Sequence, residues 1–234
     1  RQTKNPTGAV DSIVKFSRRV NSAEEAVDII HNAFRSFVHD RPRPIHIEVP
    51  LNILEQLTDI DDAALQARPL GKPQPAPVED IKEAAKILAG SKHPVIVAGG
   101  GSLPASADLL ALAETLEAPV ITSVNGKGAI PEKHRLSLGA DLRLSAAHAF
   151  CRVADAMLII GSKIGEAELW DGDIQPNGPV IRVDIERAQM LTNITPDVEL
   201  PGNSQAIVPQ LLEELKNLGV TSDTRQARDL QEVF

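Results

Sequence analysis

Pro94-Val95-Ile96-Val97-Ala98-Gly99-Gly100-Gly101-Ser102 is the stretch that decides the fold. An unbroken apolar run fits a strand buried on both faces, as in a parallel sheet covered by helices. The glycines then turn the chain into a helix expected over about 105–116. A strand running into glycines and then a helix brings backbone N–H groups towards a phosphate, and the helix N-terminus favours its negative charge. The run is not a complete dinucleotide fingerprint, because the third glycine position holds Pro104. A tight strand-to-helix turn that binds nothing accounts for it equally well.

Working outward, the same alternation repeats. A helix with Ile81, Ala84, Ala85 and Leu88 on one face precedes the strand, and Pro119–Thr122 is a second buried strand. A long loop over 125–139 leads to a helix over about 144–153. Ala156–Ile160, ending in Gly161, is a third strand, and Val180–Ile185 is a fourth. A helix over about 205–218 closes the domain, and 219–234 is a polar tail. Apolar strands alternating with amphipathic helices predict an α/β fold, a Rossmann-like doubly wound parallel sheet over 78–218.

Residues 1–55 read as a partial α/β domain. Ser12–Phe16 alternates like a short half-buried strand. Ser22 and Glu25 have capping-box spacing, and Val27, Ile30, Phe34, Phe37 and Val38 then share one helical face up to His39. Arg41-Pro42-Arg43-Pro44 breaks that helix, and Ile45–Val49 follows as a strand stopped by Pro50. A strand–helix–strand of this size buries too small a core to stand alone. Residues 56–77 form a linker with Pro69, Pro73, Pro75 and Pro77, which favour an extended path. The first residue is Arg and the opening reads as a loop, so the chain is expected to start inside a longer protein.

Composition narrows the function. The 234 residues carry a net charge of −8 without a basic stripe, which speaks against nucleic acid. No apolar stretch approaches the roughly 20 residues of a membrane span, and no signal peptide is visible. Aromatic residues are only 3%, so the core is aliphatic. Cys151 is the sole cysteine, which excludes a disulfide framework and a cysteine zinc site and fits the cytoplasm.

Several polar residues could carry chemistry. Asp184 ends the fourth strand, where a carboxylate can accept from ribose hydroxyls; a helix cap or a pair with Arg187 is the alternative. Asn125-Gly126-Lys127-Gly128 could bring the Lys127 ammonium to a phosphate, or form a plain surface loop. Glu166, Glu168, Asp171 and Asp173 surround Trp170 without cation-loop spacing, and Trp170 is expected to pack on the sheet or an adjoining chain. The six histidines lack metal-ligand spacing, and His46 is expected to be a satisfied strand residue. No serine sits in a nucleophile elbow.

Taken in order, these stretches form a pattern. Arg41–Pro50 resembles the closing strand of the pyrimidine-binding domain of thiamine-diphosphate-dependent 2-oxo acid enzymes of the acetolactate synthase type. Lys92–Gly101, Gly126–Glu132, Leu138-Gly139, Ala154-Asp155-Ala156, Ile160-Gly161 and Ile181–Ile185 resemble their central domain. The resemblance implies a parent that uses thiamine diphosphate and Mg²⁺ to decarboxylate a small 2-oxo acid or join it to a second carbonyl, as a homodimer or homotetramer. It also implies an activating glutamate upstream of Arg1 and a Gly-Asp-Gly segment in a third domain. No Gly-Asp-Gly occurs in this sequence. No catalytic residue and no metal ligand is therefore expected in the chain, and alone it should be inactive.

In such a central domain FAD, ADP or nothing binds. The resemblance places Gly99, Gly100, Gly101, Ser102, Lys127, Gly161, Asp184 and Ile185 around a nucleotide. Ala140-Asp141-Leu142-Arg143 and Lys163–Ala167 depart from the flavin segments of acetolactate synthases, which weighs against flavin. Lys163–Trp170 and the Arg-Pro-Arg-Pro entry are closer to 5-guanidino-2-oxopentanoate decarboxylases. The alternatives are such a decarboxylase or a non-catalytic nucleotide-binding module. An NAD-dependent deacylase is disfavoured, since one cysteine cannot supply its usual zinc site.

Overall fold

The computed structural model describes residues 4–170 and 172–221. The chain divides between Lys72 and Pro73 into two compact units.

The N-terminal unit is a strand–helix–strand. After helix α1 (Pro6–Asp11), strand β1 (Ser17–Arg19) pairs in parallel with β2 (His46–Glu48), and α2 (Ala23–His39) makes the crossover. A short helix, α3 (Leu51–Leu54), follows Pro50. Ser22 caps α2 as its spacing predicts, accepting from the Glu25 amide at 3.2 Å. Glu25 reaches one residue further back than in a regular capping box, accepting from the Asn21 amide at 2.7 Å. The strand expected at Ser12–Phe16 is corrected to Ser17–Arg19. Ile13 is 76% exposed, so its alternation marked no buried face, and the strand begins where Ser17 comes into register with His46. His46 is satisfied, with Nδ1 2.8 Å from Ser17 Oγ.

The stretch after α3 is tied down at several points. Arg68 pairs with Asp28 at 2.7 Å, and His39 Nε2 meets the Leu70 carbonyl. A cleft of about 450 Å³ remains between α2 and this stretch, lined by Ile30, Phe34, Leu65 and Leu70 among others. In the second unit, Gln74 and Asn203 exchange bonds at 2.7 and 2.9 Å, and the Gln210 amide group bridges to Ala76.

The central unit contains α4 (Val78–Gly90), β3 (Pro94–Ala98), α5 (Ser106–Leu116), β4 (Val120–Thr122), α6 (Ser145–Arg152), β5 (Ala156–Ile160), β6 (Val180–Asp184), α7 (Arg187–Met190), β7 (Val198–Pro201) and α8 (Ser204–Asn217). Its five strands are parallel in the order β4-β3-β5-β6-β7. Because strand side chains alternate, Ile96, Leu158, Ile160 and Ile181 pack with α4, α5 and α8, while Val95, Val97, Met157 and Ile159 pack with α6 and the connecting loops. The sheet is covered on both faces, as its unbroken apolar strands require.

Two features differ from expectation. A 3₁₀ turn over Gly100–Ala105 absorbs Pro104, so α5 begins at Ser106. The edge strand β7 was not anticipated: Val198 and Leu200 are buried while Glu199 alternates outward, and the flanking prolines give the stretch the look of a loop. An edge position tolerates such residues.

Candidate functional site

The order of pairing puts a topological switch at β3, whose neighbours β4 and β5 are reached by connections running to opposite sides. Crevices at such a point open at the carboxyl ends of the strands. Gly99 follows β3 there, Gly161 follows β5, and Asp184 is the last residue of β6.

Backbone meets backbone at this edge. A Cβ on Gly99 would stand 2.3 Å from the Gly161 carbonyl oxygen, and one on Gly161, whose φ is +60°, would stand 2.4 Å from Gly101 Cα. Gly101 N–H donates to the Gly161 carbonyl at 3.0 Å, and Ser102 N–H and Oγ both donate to the Gly99 carbonyl at 3.0 and 2.7 Å. Ser204 Oγ donates to the Gly101 carbonyl at 2.6 Å and so ties α8 into the junction. The glycines thus serve a close approach of two strand ends, and the Gly99, Gly101 and Ser102 amides of the turn are already hydrogen-bonded within the protein.

Asp184 is buried, and its Oδ1 accepts from the Glu186 amide at 2.9 Å while its carbonyl accepts from Gly202 N–H. Arg187 donates to Glu199 at 2.7 Å. Ile185 follows Asp184 and is half-buried. Lys127 is exposed on the loop beyond β4 and pairs with Glu132 at 3.2 Å. It lines a separate open cleft of about 470 Å³ with the first turn of α5. Of the residues singled out by sequence, then, the structure joins Gly99, Gly101, Ser102 and Gly161 directly. Asp184 stands on the next strand end, and Lys127 pairs with Glu132 within its own loop.

The acidic stretch after β5 forms no cation site: among the described residues no three His, Cys, Asp or Glu side chains converge on one point. Glu168 instead caps its own turn, accepting from Gly165 N–H at 2.8 Å; Asp171 lies outside the described residues. The expectation that Trp170 packs inward on the sheet is corrected, since it is 82% exposed. Leu169 beside it supplies the apolar contact to the core. Burial pushes the Cys151 thiol up to about 12, which keeps it protonated and inert.

Sequence reading missed Arg182. It lies within β6 between Ile181 and Val183 and is 1% exposed. Its Nη1 shares the carbonyls of Met190, Thr192 and Ile194 at 2.8–3.1 Å, and Nη2 donates to the Ser162 carbonyl at 2.8 Å. The available signal was a charged residue inside an otherwise apolar central strand.

An open parallel sheet with a glycine junction at its switch point defines an α/β domain of the Rossmann-like class. Residues 81–211 match the family described as "Thiamine pyrophosphate enzyme, central domain". The chain belongs to the thiamine pyrophosphate enzymes. It is 33% identical over 214 residues to the "Probable 2-ketoarginine decarboxylase AruI" of Pseudomonas aeruginosa, covering 92% of this chain and 38% of that protein. It is likewise 33% identical over 215 residues to the "Probable acetolactate synthase large subunit" of Methanocaldococcus jannaschii, covering 87% of this chain and 36% of the relative. The structure of benzoylformate decarboxylase from Polynucleobacter necessarius shares the fold, with a TM-score of 0.74 at 19% identity over 98% of this chain and 45% of that one. The chain therefore spans less than half the length of the relatives it matches.

Proposed function

We propose that this chain is the central scaffold of a thiamine-diphosphate-dependent enzyme acting on 2-oxo acids by decarboxylation and carboligation, as acetolactate synthases do. The match of residues 81–211 to the family's central domain carries this reading. Thiamine diphosphate, held by other parts of the parent, would supply the electron sink that the loss of carbon dioxide from a 2-oxo acid needs. The described residues do not fit the Mg²⁺–diphosphate group, because no three of their His, Cys, Asp or Glu side chains converge. The work of this chain is therefore structural: it fixes the geometry on which the cofactor-binding parts of the parent are mounted, in a homodimer or homotetramer in the cytoplasm.

The experiment is an assay of carbon dioxide release from pyruvate by the complete gene product with thiamine diphosphate and Mg²⁺, beside the 234-residue chain alone. The full protein should turn over and the chain should not. A full protein inert towards pyruvate and other 2-oxo acids would sink the reading. Including 5-guanidino-2-oxopentanoate tests the second reading, which the 2-ketoarginine decarboxylase relative favours. The acetolactate synthase relative has the same identity, so sequence likeness does not separate the two substrates.

The carboxyl edge is proposed as a nucleotide site, with ADP favoured over FAD. The support is the glycine junction at the switch point, with the Asp184 carboxylate on the neighbouring strand end. Since the Gly99, Gly101, Ser102 and Gly161 amides are engaged internally, contact would fall to Gly100, Ile185 and the ends of nearby side chains rather than to a full phosphate cradle. Calorimetric titration with ADP and FAD tests this, and no heat with either would overturn it.

A further inference from the structure

The segment that leaves β5 adopts one unusual conformation. Ile164 has φ +47°, a left-handed backbone that a β-branched residue rarely adopts, yet its side chain is fully buried. Such a conformation persists only when its surroundings over-determine it, and these outliers concentrate at functional sites. Here the surroundings can be named. Ser162, two residues earlier, accepts from Arg182 Nη2 at its carbonyl at 2.8 Å and from the Ile164 amide at its Oγ at 3.2 Å. The Ile164 carbonyl accepts from Asn193 Nδ2, and the Gly165 amide donates to Glu168 Oε2 at 2.8 Å.

The same two side chains hold the opposite loop. Arg182 Nη1 is shared among the carbonyls of Met190, Thr192 and Ile194, and Asn193 itself sits at φ +65°, where asparagine is comfortable. Burying a guanidinium in the middle of a strand is costly unless its protons are bonded, and an aliphatic residue there would pack without that cost. What Arg182 adds is a rigid connection between the loop that leaves β5 at the carboxyl edge and residues 190–194 of the connection towards β7.

We propose that Arg182 and Asn193 are positioning residues that lock 161–165 to 190–194 as one preformed ledge, so that the edge has its shape before a ligand arrives. The role in binding rests on the reading that this edge takes a nucleotide; the lock itself does not. Ile164 is the strained piece held by the lock: Asn193 bonds it directly, and Ser162 ties it to Arg182.

Amide hydrogen exchange and ADP titration of the full chain test this, with Asn193→Gly and Arg182→Lys. Asn193→Gly keeps the left-handed backbone at position 193 accessible and removes the side-chain donor to Ile164. The amides of Ile164 and Gly165 should exchange at least about tenfold faster in it, while those of β3 and β5 keep their protection. ADP should bind about tenfold more weakly, because the ordering now has to occur on binding. Unchanged exchange at 164–165 would overturn the lock. Faster exchange with unchanged ADP affinity would overturn the positioning role. Should the native chain bind no ADP, the nucleotide reading falls, and the exchange result still decides whether the lock exists. If Arg182→Lys fails to fold, Asn193→Gly gives the same decision.

Discussion

The two units of this chain bury their apolar residues very differently. Among residues 4–72 only Ser17, Val20 and Ala33 are buried, and Ile30, Phe34, Leu51 and Leu54 stay exposed on or after α2. In the central unit both faces of the sheet are closed, and Ile96, Leu158, Ile159 and Ile160 are completely buried. The N-terminal unit is held by ladder bonds, a helix cap and ion pairs such as Arg68–Asp28 at 2.7 Å, terms individually worth little in water. The contrast teaches that amphipathic helices and parallel pairing are enough to shape a strand–helix–strand, while stability needs a second layer over the sheet.

The strongest test compares one deletion in each unit. Ile159→Ala in β5 should cost about 2–5 kcal/mol, measured by urea unfolding, from lost burial plus the cavity left behind. Phe34→Ala, removing a ring that is 57% exposed, should stay within about 1 kcal/mol. Equal costs would break the contrast. Within the central unit the glycines sharpen it further. Gly161→Ala combines φ +60° with a Cβ 2.4 Å from Gly101 Cα, so it should destabilise by well over about 1 kcal/mol. Gly90→Ala, at the end of α4 with nothing within 4 Å, should stabilise by about 0.4–1 kcal/mol in the same assay.

How much of this was legible follows the same divide. The strands Pro94–Ala98 and Ala156–Ile160 were readable to the residue, because a strand covered on both faces must be apolar throughout. The buried face of α4 was readable from Ile81, Ala84, Ala85 and Leu88. Where a side is left open, the pattern weakens: the alternation at Ser12–Phe16 lies several residues ahead of β1, and the prolines beside and within β7 mask its own alternation. At the carboxyl edge the glycines were visible, but not that Gly161 and Gly101 meet each other, since close approach is a property of two distant segments. Arg182 and Ile164 were hidden for the same reason. A buried guanidinium and a left-handed isoleucine are set by carbonyls from elsewhere in the chain, and neither follows from local propensity.

A smaller effect comes from Asp155, which anchors the entry to β3 against the entry to β5. Its carboxylate accepts from Lys92 N–H at 2.7 Å, His93 N–H at 2.8 Å and Ser91 Oγ. Burial alone would raise its pKa, but these donors outweigh that and hold it below the ordinary carboxyl value. A depressed folded pKa contributes stability that is fully present above the unfolded value, near ~3.9, and is lost as the pH falls through the folded one. Asp155→Asn should therefore lose about 1–2 kcal/mol at neutral pH. Its stability should also fall less steeply than that of the native chain below about pH 4, the window set by the free carboxyl. Parallel pH profiles for the two proteins would show that the charge itself is not what the three donors hold.

The smallest effect on the whole chain should come from the N-terminal unit, and it shows whether the two units unfold as one. Ser22 accepts from the Glu25 amide and caps α2, so Ser22→Ala should weaken that helix by about 1 kcal/mol. If the central unit carries the main transition, that loss should appear only locally. Amides in the first turns of α2 should exchange about fivefold faster, in line with about 1 kcal/mol, while the main urea midpoint stays fixed. A midpoint that moves by the full amount would mean that α2 unfolds together with the sheet of the central unit, despite its sparse burial. A fixed midpoint would place the cap among the local stabilities of an open unit, where a single serine matters to one helix and not to the fold.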